Sequence, residues 1–278
     1  MTLDGACVRL RLLGLAREPS VTIPEYRGLV AATYDLFGGE TNDDELAFYR
    51  RRIAEFGEPA LEVACGTGRL LLEYLAGGID IDGVDNAPEM LERCRAKATR
   101  RGLNVDERVS VADMRSFAAR RHYRTILVPS SSFQLLTKRE DCDRALHSFR
   151  RHLVAGGGIV ISLADLTPNV RVAARQAQWR VRAEDVGGDG RRYRVWGRTT
   201  FDHGAGIDHD EERYEELVDG AVVRTEAHAS HMRSYTTASA RELLATAGFM
   251  DVADYDRFTD EPASDAARVF HVAGRVFR

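Results

Sequence analysis

From Pro59 onward, apolar runs of strand length alternate with segments whose apolar residues recur every three or four positions, the pattern of an α/β sheet. The first strand ends near Ala64. Its helix carries Leu70, Leu71, Tyr74 and Leu75 on one face and stops at Gly77-Gly78. Ile79 to Asp85 reads as the second strand. Asn86 is then placed to cap a helix, with Glu89 completing a capping box and Pro88 tolerated in the first turn. Val105 to Val111 reads as the third strand. Thr125 to Val128 is short and continuously apolar, as a buried parallel strand should be. Cys142, Leu146, Phe149 and Leu153 recur at helical spacing. Gly156-Gly157-Gly158 is expected to end that helix, and Ile159 to Leu163 to supply the fifth strand.

After Pro168 the pattern changes. Turn signals at Gly187-Gly188-Asp189-Gly190, His203-Gly204-Ala205-Gly206 and Asp219-Gly220 separate alternating, β-branched segments: Tyr193 to Phe201, Glu212 to Val218 and Val222 to His231. These predict an antiparallel meander. Thr237 then opens a helix containing Leu243 and Leu244 and closed by Gly248. Strands near Phe249 to Tyr255 and Arg268 to Ala273 return the chain to the main sheet. The meander reads as an insertion into one domain.

Composition narrows the partners. A chain of 278 residues with 44% hydrophobic and 29% charged residues is ordinary for a globular protein. The net charge of -4, with no Lys/Arg block, excludes a nucleic-acid backbone as the expected partner. No run approaches the roughly 18 to 20 apolar residues of a membrane span. The cysteines, Cys7, Cys65, Cys94 and Cys142, are scattered without a CxxC pair, which predicts a reducing, cytoplasmic setting and no zinc knuckle. Arg9 and Arg11 interrupt the apolar start, so residues 1–33 are expected to form an amphipathic arm rather than a signal peptide.

Chemistry concentrates at Leu61-Glu62-Val63-Ala64-Cys65-Gly66-Thr67-Gly68, where an apolar strand runs into a glycine loop that opens a helix. Such loops commonly hold phosphate. Here Glu62 would repel a pyrophosphate, and Leu71 stands where a dinucleotide fingerprint needs its third small residue. Ligands of open α/β sheets lie outside the carboxyl ends of the strands, a rule that selects Asp85, at a strand end and 17 residues past Gly68, over Asp80 and Asp82. Its carboxylate can accept from ribose hydroxyls. Asp113 is either an acceptor for an exocyclic adenine amine or an exposed turn aspartate. Met90 is either a purine contact or core.

These residues resemble the class I S-adenosylmethionine-dependent methyltransferases. Glu62 to Gly68, with Ala64 in place of a common glycine, is similar to the first motif of that family, Asp85 to its ribose-binding acid and Asp113-Met114 to its adenine-binding pair. The likeness runs from about Tyr34 to the C-terminus and takes in Ser162-Leu163, Arg233-Ser234-Tyr235-Thr236 and Ala247-Gly248-Phe249. It implies a Rossmann-like, seven-stranded mixed sheet of order 3-2-1-4-5-7-6, with strand seven antiparallel. It also implies S-adenosylmethionine as donor and S-adenosylhomocysteine as product, with Asn86 and Pro129 beside the donor and Tyr34 either closing over its methionine moiety or packing in the core. Residues 34–168 and 236–278 are the expected methyltransferase domain, and 169–235 the insertion, as substrate cover or dimer contact.

The segment Val128-Pro129-Ser130-Ser131-Ser132-Phe133-Gln134 should lie at the reaction centre. It lacks the Asn/Asp-Pro-Pro-Tyr/Phe motif of relatives that methylate planar amines, which points away from DNA and protein glutamine. Ser131 is a catalytic candidate, and Ser132, Gln134 and Arg233 are candidates to orient a small polar acceptor; a serine-rich turn is the plain alternative. The meander holds four of the eight histidines, His203, His209, His228 and His231. His228-x-x-His231 on a strand points its rings to opposite faces, so no metal site is expected. His231, near Arg233, is the first choice of general base, and Tyr235 is a further catalytic candidate. The acidic run Asp208 to Glu216 reads as a solvated hairpin edge or as an attractor of cationic substrates. In size and position the meander resembles family members that methylate small molecules, including sugar and amino-sugar N-methyltransferases. A non-catalytic donor-binding protein and a nucleotide-dependent oxidoreductase are the rival readings.

Overall fold

A computed structural model describes residues 26–38, 41–168 and 170–277. Cys7 and most of the expected N-terminal arm lie outside the described residues. Helices α1 (Gly28–Phe37) and α2 (Asp43–Phe56) precede the sheet. The alternating part then runs β1 (Ala60–Val63), α3 (Leu71–Ala76), β2 (Ile81–Asp85), α4 (Pro88–Arg100), β3 (Val109–Val111), β4 (Tyr123–Val128), α5 (Arg139–His152) and β5 (Leu153–Ala164). A 3-10 turn at Ser132–Leu135 lies between β4 and α5. After the insertion come α7 (Thr237–Thr246), β10 (Met250–Asp256) and β11 (Val269–Arg275). The sheet order β3-β2-β1-β4-β5-β11-β10 is the expected one, with β11 antiparallel to both neighbours. Every residue of β1 is buried, because helices cover both faces of a parallel sheet.

Two local readings are corrected. Asn86 does not cap α4: its N-cap is Ala87 and no side chain caps it. Asp85 instead turns the chain just ahead of the helix, its Oδ1 accepting from the N–H of the N-cap residue Ala87 at 2.8 Å, while Glu89 turns away to accept from the Gly28 N–H at 2.8 Å. Gly156 to Gly158 lie inside β5 rather than ending a helix. The pairing jumps from Tyr123↔Leu153 to Thr125↔Gly158, so β5 bulges here. Gly158 is required by close approach, since a Cβ there would sit 2.7 Å from the Phe56 ring.

The insertion is a separate antiparallel sheet, β6 (Arg180–Val186), β7 (Arg192–Asp202), β8 (Ile207–Val218) and β9 (Ala221–Arg233), in that order. All three turn signals fall between its strands. A short helix, α6 (Val170–Gln176), leads into it and was not signalled by the sequence. Gln134 fastens the insertion to the main sheet. Its Nε2 donates to the carbonyls of Ala164 and Arg233 at 3.0 and 2.6 Å, and its Oε1 accepts from the Ala164 N–H at 2.7 Å. No helix among the described residues is long and apolar enough to cross a membrane.

Candidate active site

A cleft opens at the carboxyl ends of β1, β2, β3 and β4, where ligands of open α/β sheets bind. Its floor is Val63, Ala64 and Gly66 from the loop after β1, Asp85 and Asn86 from the end of β2, Met90 from α4, and Ala112 and Met114 after β3. Ser130, Ser131, Ser132 and Leu135 form the far wall, and Tyr34, Tyr26 and Met232 close over it.

The loop conformation follows from its residues. Gly66 and Gly68 take φ of +55° and +79°, and Ala64 a left-handed +58° that glycine would adopt without strain. A Cβ on Gly66 would touch the Met90 methyl at 3.4 Å, so glycine keeps the floor open. Gly68 serves packing instead, since its Cβ would lie 2.6 Å from Cys94 Sγ; it does not line the cleft. Asp85 is 7% exposed and holds the loop directly, with Oδ2 accepting from the Gly66 N–H at 2.8 Å. Burial raises its pKa, and the backbone N–H bonds oppose that rise.

Glu62 is 2% exposed, and its Oε2 has no hydrogen-bond partner. Burial pushes its carboxyl up to about 8 against the opposing Arg69 guanidinium, helped by Glu45 and Asp85. An orphaned buried acid of this kind is costly unless something else faces it. Arg69 itself is clamped by Glu45 at 2.5 and 2.9 Å and donates to Ser130 Oγ at 3.1 Å, tying the glycine loop to the serine loop. Ser130 and Ser131 both take φ near +55°, a pair of strained non-glycine residues of the kind concentrated at functional sites.

The cover is braced from two sides. At the N-terminus of α1, the Gly28 N–H donates to Glu89 of α4, and the Leu29 N–H donates to Glu226 of β9 at 2.7 Å. Negative side chains suit this end of a helix. Two turns on, Asp35 accepts from Thr67 Oγ1 and Lys97 Nζ at 2.6 and 2.9 Å, so the tyrosine-bearing helix is stitched to the glycine loop. Tyr26 packs edge-on to Tyr34 at 5.8 Å and against the His228 ring at 5.2 Å.

Several sequence candidates lie elsewhere. His231 is not in the cleft: it points to the other face of β9 from Met232 and shares an Nδ1–Nδ1 hydrogen bond of 2.8 Å with His209. Burial and His209 lower its pKa. Tyr235 is buried with its hydroxyl 3.5 Å from Cys142 Sγ, where burial raises its pKa. Gln134 is consumed by the backbone bonds above. Arg233 donates to the Thr137 and Ala205 carbonyls. Asp113 turns to Arg115, with Oδ1 and Oδ2 each 3.0 Å from Nε, which depresses its carboxyl. Pro129 is buried beneath the serine loop, outside the cleft lining. Tyr34, Ala64, Gly66, Asp85, Asn86, Met90, Met114, Ser131 and Ser132 do meet around the one cavity. Tyr26 and Met232 were missed; only the strand alternation around His231 hints at Met232. Among the described residues, no group of three or more His, Cys, Asp or Glu is placed to hold a metal ion.

Comparison with known proteins agrees with this geometry. Residues 60–157 match the family model described as a methyltransferase domain. A dTDP-3-amino-3,6-dideoxy-alpha-D-glucopyranose N,N-dimethyltransferase from Streptomyces fradiae is 31% identical over 144 residues, covering 49% of this chain and 54% of that protein. The chain thus spans about half the length of that curated relative. A methyltransferase from Streptomyces caelestis superposes with a TM-score of 0.72 at 17% identity, over 92% of this chain and 100% of that one. A sugar N-methyltransferase from a Streptoalloteichus species gives 0.66 at 22% identity over 99% of both. These structural likenesses show the fold. Residues 60–157 match a methyltransferase domain, and the described residues share the fold of these methyltransferase structures around it.

Proposed function

We propose that this protein is an S-adenosylmethionine-dependent methyltransferase acting on a nitrogen or oxygen of a small molecule, with an amino sugar as the favoured acceptor. The observation that carries this reading is a cleft that joins an acid at the end of β2 to a glycine floor, with a buried unpaired acid, Glu62, in the strand behind the lining residue Val63. Glu62 offers an unpartnered carboxyl that the donor's ammonium would draw into its charged form. Asp85 offers its remaining lone pairs to the ribose hydroxyls while its other contacts hold Gly66 and Ala87. Met90 and Met114 supply apolar, polarizable surface for an adenine ring. None of these residues suits a pyrophosphate.

The bound donor supplies a methyl carbon already activated by a sulfonium. What remains for the protein is alignment, worth up to roughly 7–11 kcal/mol when geometry is ideal. Ser130 to Ser132 stand across the cleft from the donor pocket, and Tyr34 and Tyr26 exclude water above it. The amino-sugar preference rests on the relative from Streptomyces fradiae. A homodimer through the insertion stays compatible with this reading, and the cover over the cleft favours the insertion's role as substrate lid.

The test is calorimetry with S-adenosylmethionine and with NAD(P)H, followed by mass spectrometry of methyl transfer. The acceptor pair is dTDP-3-amino-3,6-dideoxy-alpha-D-glucopyranose and the same nucleotide sugar with a hydroxyl in place of the amine. Donor binding with product formation is expected. Binding of the nicotinamide cofactor alone would overturn the reading in favour of an oxidoreductase. Donor binding without transfer to any member of a wider amine and alcohol panel would leave a non-catalytic binding protein.

A further inference from the structure

The cleft has a second wall whose chemistry the donor does not use. Met232 of β9 lines the cleft, and its directly opposed partner on β8 is Asp208. Opposed residues of an antiparallel pair share a face, with Cβ atoms about 4.5–5.5 Å apart. On the other side of Asp208 the register places Phe201 of β7. The row Phe201–Asp208–Met232 therefore puts one carboxylate between two apolar side chains on the face that Met232 presents to the cleft, with Asp208 and Phe201 just outside the lining. β9 meets the serine turn at this same end, where Gln134 grips the Arg233 carbonyl.

The next two acids along that face of β8 are both spoken for. Asp210 accepts from Arg182 Nη1 at 2.7 Å and from Thr199 Oγ1 at 2.9 Å. Glu212 accepts from Arg182 at 3.1 Å and from Tyr214 Oη at 2.9 Å. Asp208 has no hydrogen bond or ion pair among the described residues, although it is half-buried. A carboxylate held beside apolar neighbours with its own partners withheld is set up for a cation supplied from outside.

We infer that Asp208 receives the protonated amine of the methyl acceptor and takes the proton that must leave before that nitrogen can react. The inference rests on the methyltransferase reading and names the acceptor-side group that reading lacks. Phe201 adds a ring face for the ammonium. One proton passes from the ammonium to a carboxylate oxygen, and the N–H bonding pair stays on nitrogen. That pair forms the new N–C bond as the C–S pair leaves with sulfur, giving a neutral thioether and a methylated ammonium. Asp208 then returns its proton to water. Burial and Asp210 raise the Asp208 carboxyl to about 6 against the opposing Arg182, a useful position for a proton acceptor near neutral pH. The assignment replaces His231, which the fold turns to the opposite face.

The experiment uses the full chain saturated with S-adenosylhomocysteine, so that no turnover occurs, and titrates the amino and hydroxyl nucleotide sugars by calorimetry. The wild type is expected to bind the amino sugar at least about tenfold tighter than the hydroxyl compound. In Asp208→Asn, which is isosteric, the two should bind within about twofold, and single-turnover transfer to the amine should fall by about 100-fold or more, with S-adenosylhomocysteine affinity unchanged. An amino preference that survives Asp208→Asn, or a wild type with no amino preference, overturns this assignment alone. A wild type that binds neither S-adenosylmethionine nor S-adenosylhomocysteine overturns the methyltransferase reading itself.

Discussion

Asp85 holds the donor site together in two ways at once, and its substitution separates them. One carboxylate spans two backbone donors, Gly66 in the glycine loop and Ala87 at the start of α4, at 2.8 Å each. In Asp85→Ala both N–H groups lose an ionised acceptor. At about 1.5–3 kcal/mol for a hydrogen bond to a charged group, and with cleft water replacing part of it, the expected cost to folding is about 2–4 kcal/mol. The melting temperature should fall by about 5–10 °C for a chain of this size. Asp85→Asn keeps one acceptor but sets its NH₂ against the other N–H, so it should lose about half as much. The ribose contact is a separate loss of about 1.5–3 kcal/mol, a 10- to 150-fold rise in donor Kd. Thermal melts without ligand read the first loss, and calorimetry well below the melting temperature reads the second. A variant that melts lower but keeps donor affinity within twofold would show that the ribose lies elsewhere. One that loses affinity without loss of stability would show that the two backbone bonds contribute nothing.

Glu62→Gln removes an acid that the fold holds protonated. A folded carboxyl at about 8 against an unfolded one in the ordinary range means that the folded state binds more protons between those limits. Wild-type stability should therefore fall as pH rises through that window. The variant should match the wild type near pH 5 and melt higher near pH 9 without donor; an offset independent of pH would refute this. Glu226→Ala removes the carboxylate that caps Leu29 at the start of α1. A stability loss of about 1 kcal/mol, faster amide exchange across α1 and a raised donor KM are expected, and unchanged exchange would contradict the bracing role. Gly68→Ala combines a φ of +79° with a Cβ 2.6 Å from Cys94 Sγ. It should destabilise by about 2 kcal/mol or more in denaturant titration, and a neutral result would mean that the loop relaxes freely.

The sheet and the strand-end residues that line the cleft were readable because their signals are local. Strand-ending acids, a glycine loop and turn residues between alternating runs mark positions without reference to distant contacts. What failed depended on partners far along the chain. Gln134 looks like a substrate ligand in its serine-rich segment, yet its amide is consumed by Ala164 and Arg233. Arg233 and Asp113 look available and are claimed by a carbonyl and a guanidinium. Asn86 looks like a cap, yet the N-cap of α4 is Ala87, one residue later, and it is Asp85 that bonds the Ala87 N–H. For the meander, alternation correctly separates His228 from His231. Which face meets the cleft is decided by how β9 docks on the serine turn, and no local pattern encodes that. Gly156 to Gly158 mislead for a related reason: the ring that demands Gly158 belongs to Phe56, about a hundred residues earlier.

The start of α1 is fastened to both halves of the protein, through Glu89 to the donor domain and through Glu226 to the insertion. Tyr34 sits on this helix and Tyr26 just before it, so the lid of the donor pocket and the roof of the acceptor wall are one body with two hinges. A ligand that orders this body from one side lowers the ordering cost for a ligand on the other. Such coupling is reciprocal, with donor and acceptor tightening each other's binding by the same factor. On the proposed reading the protein would favour the doubly loaded state over either singly loaded one, and the donor would be spent where an acceptor is already in place.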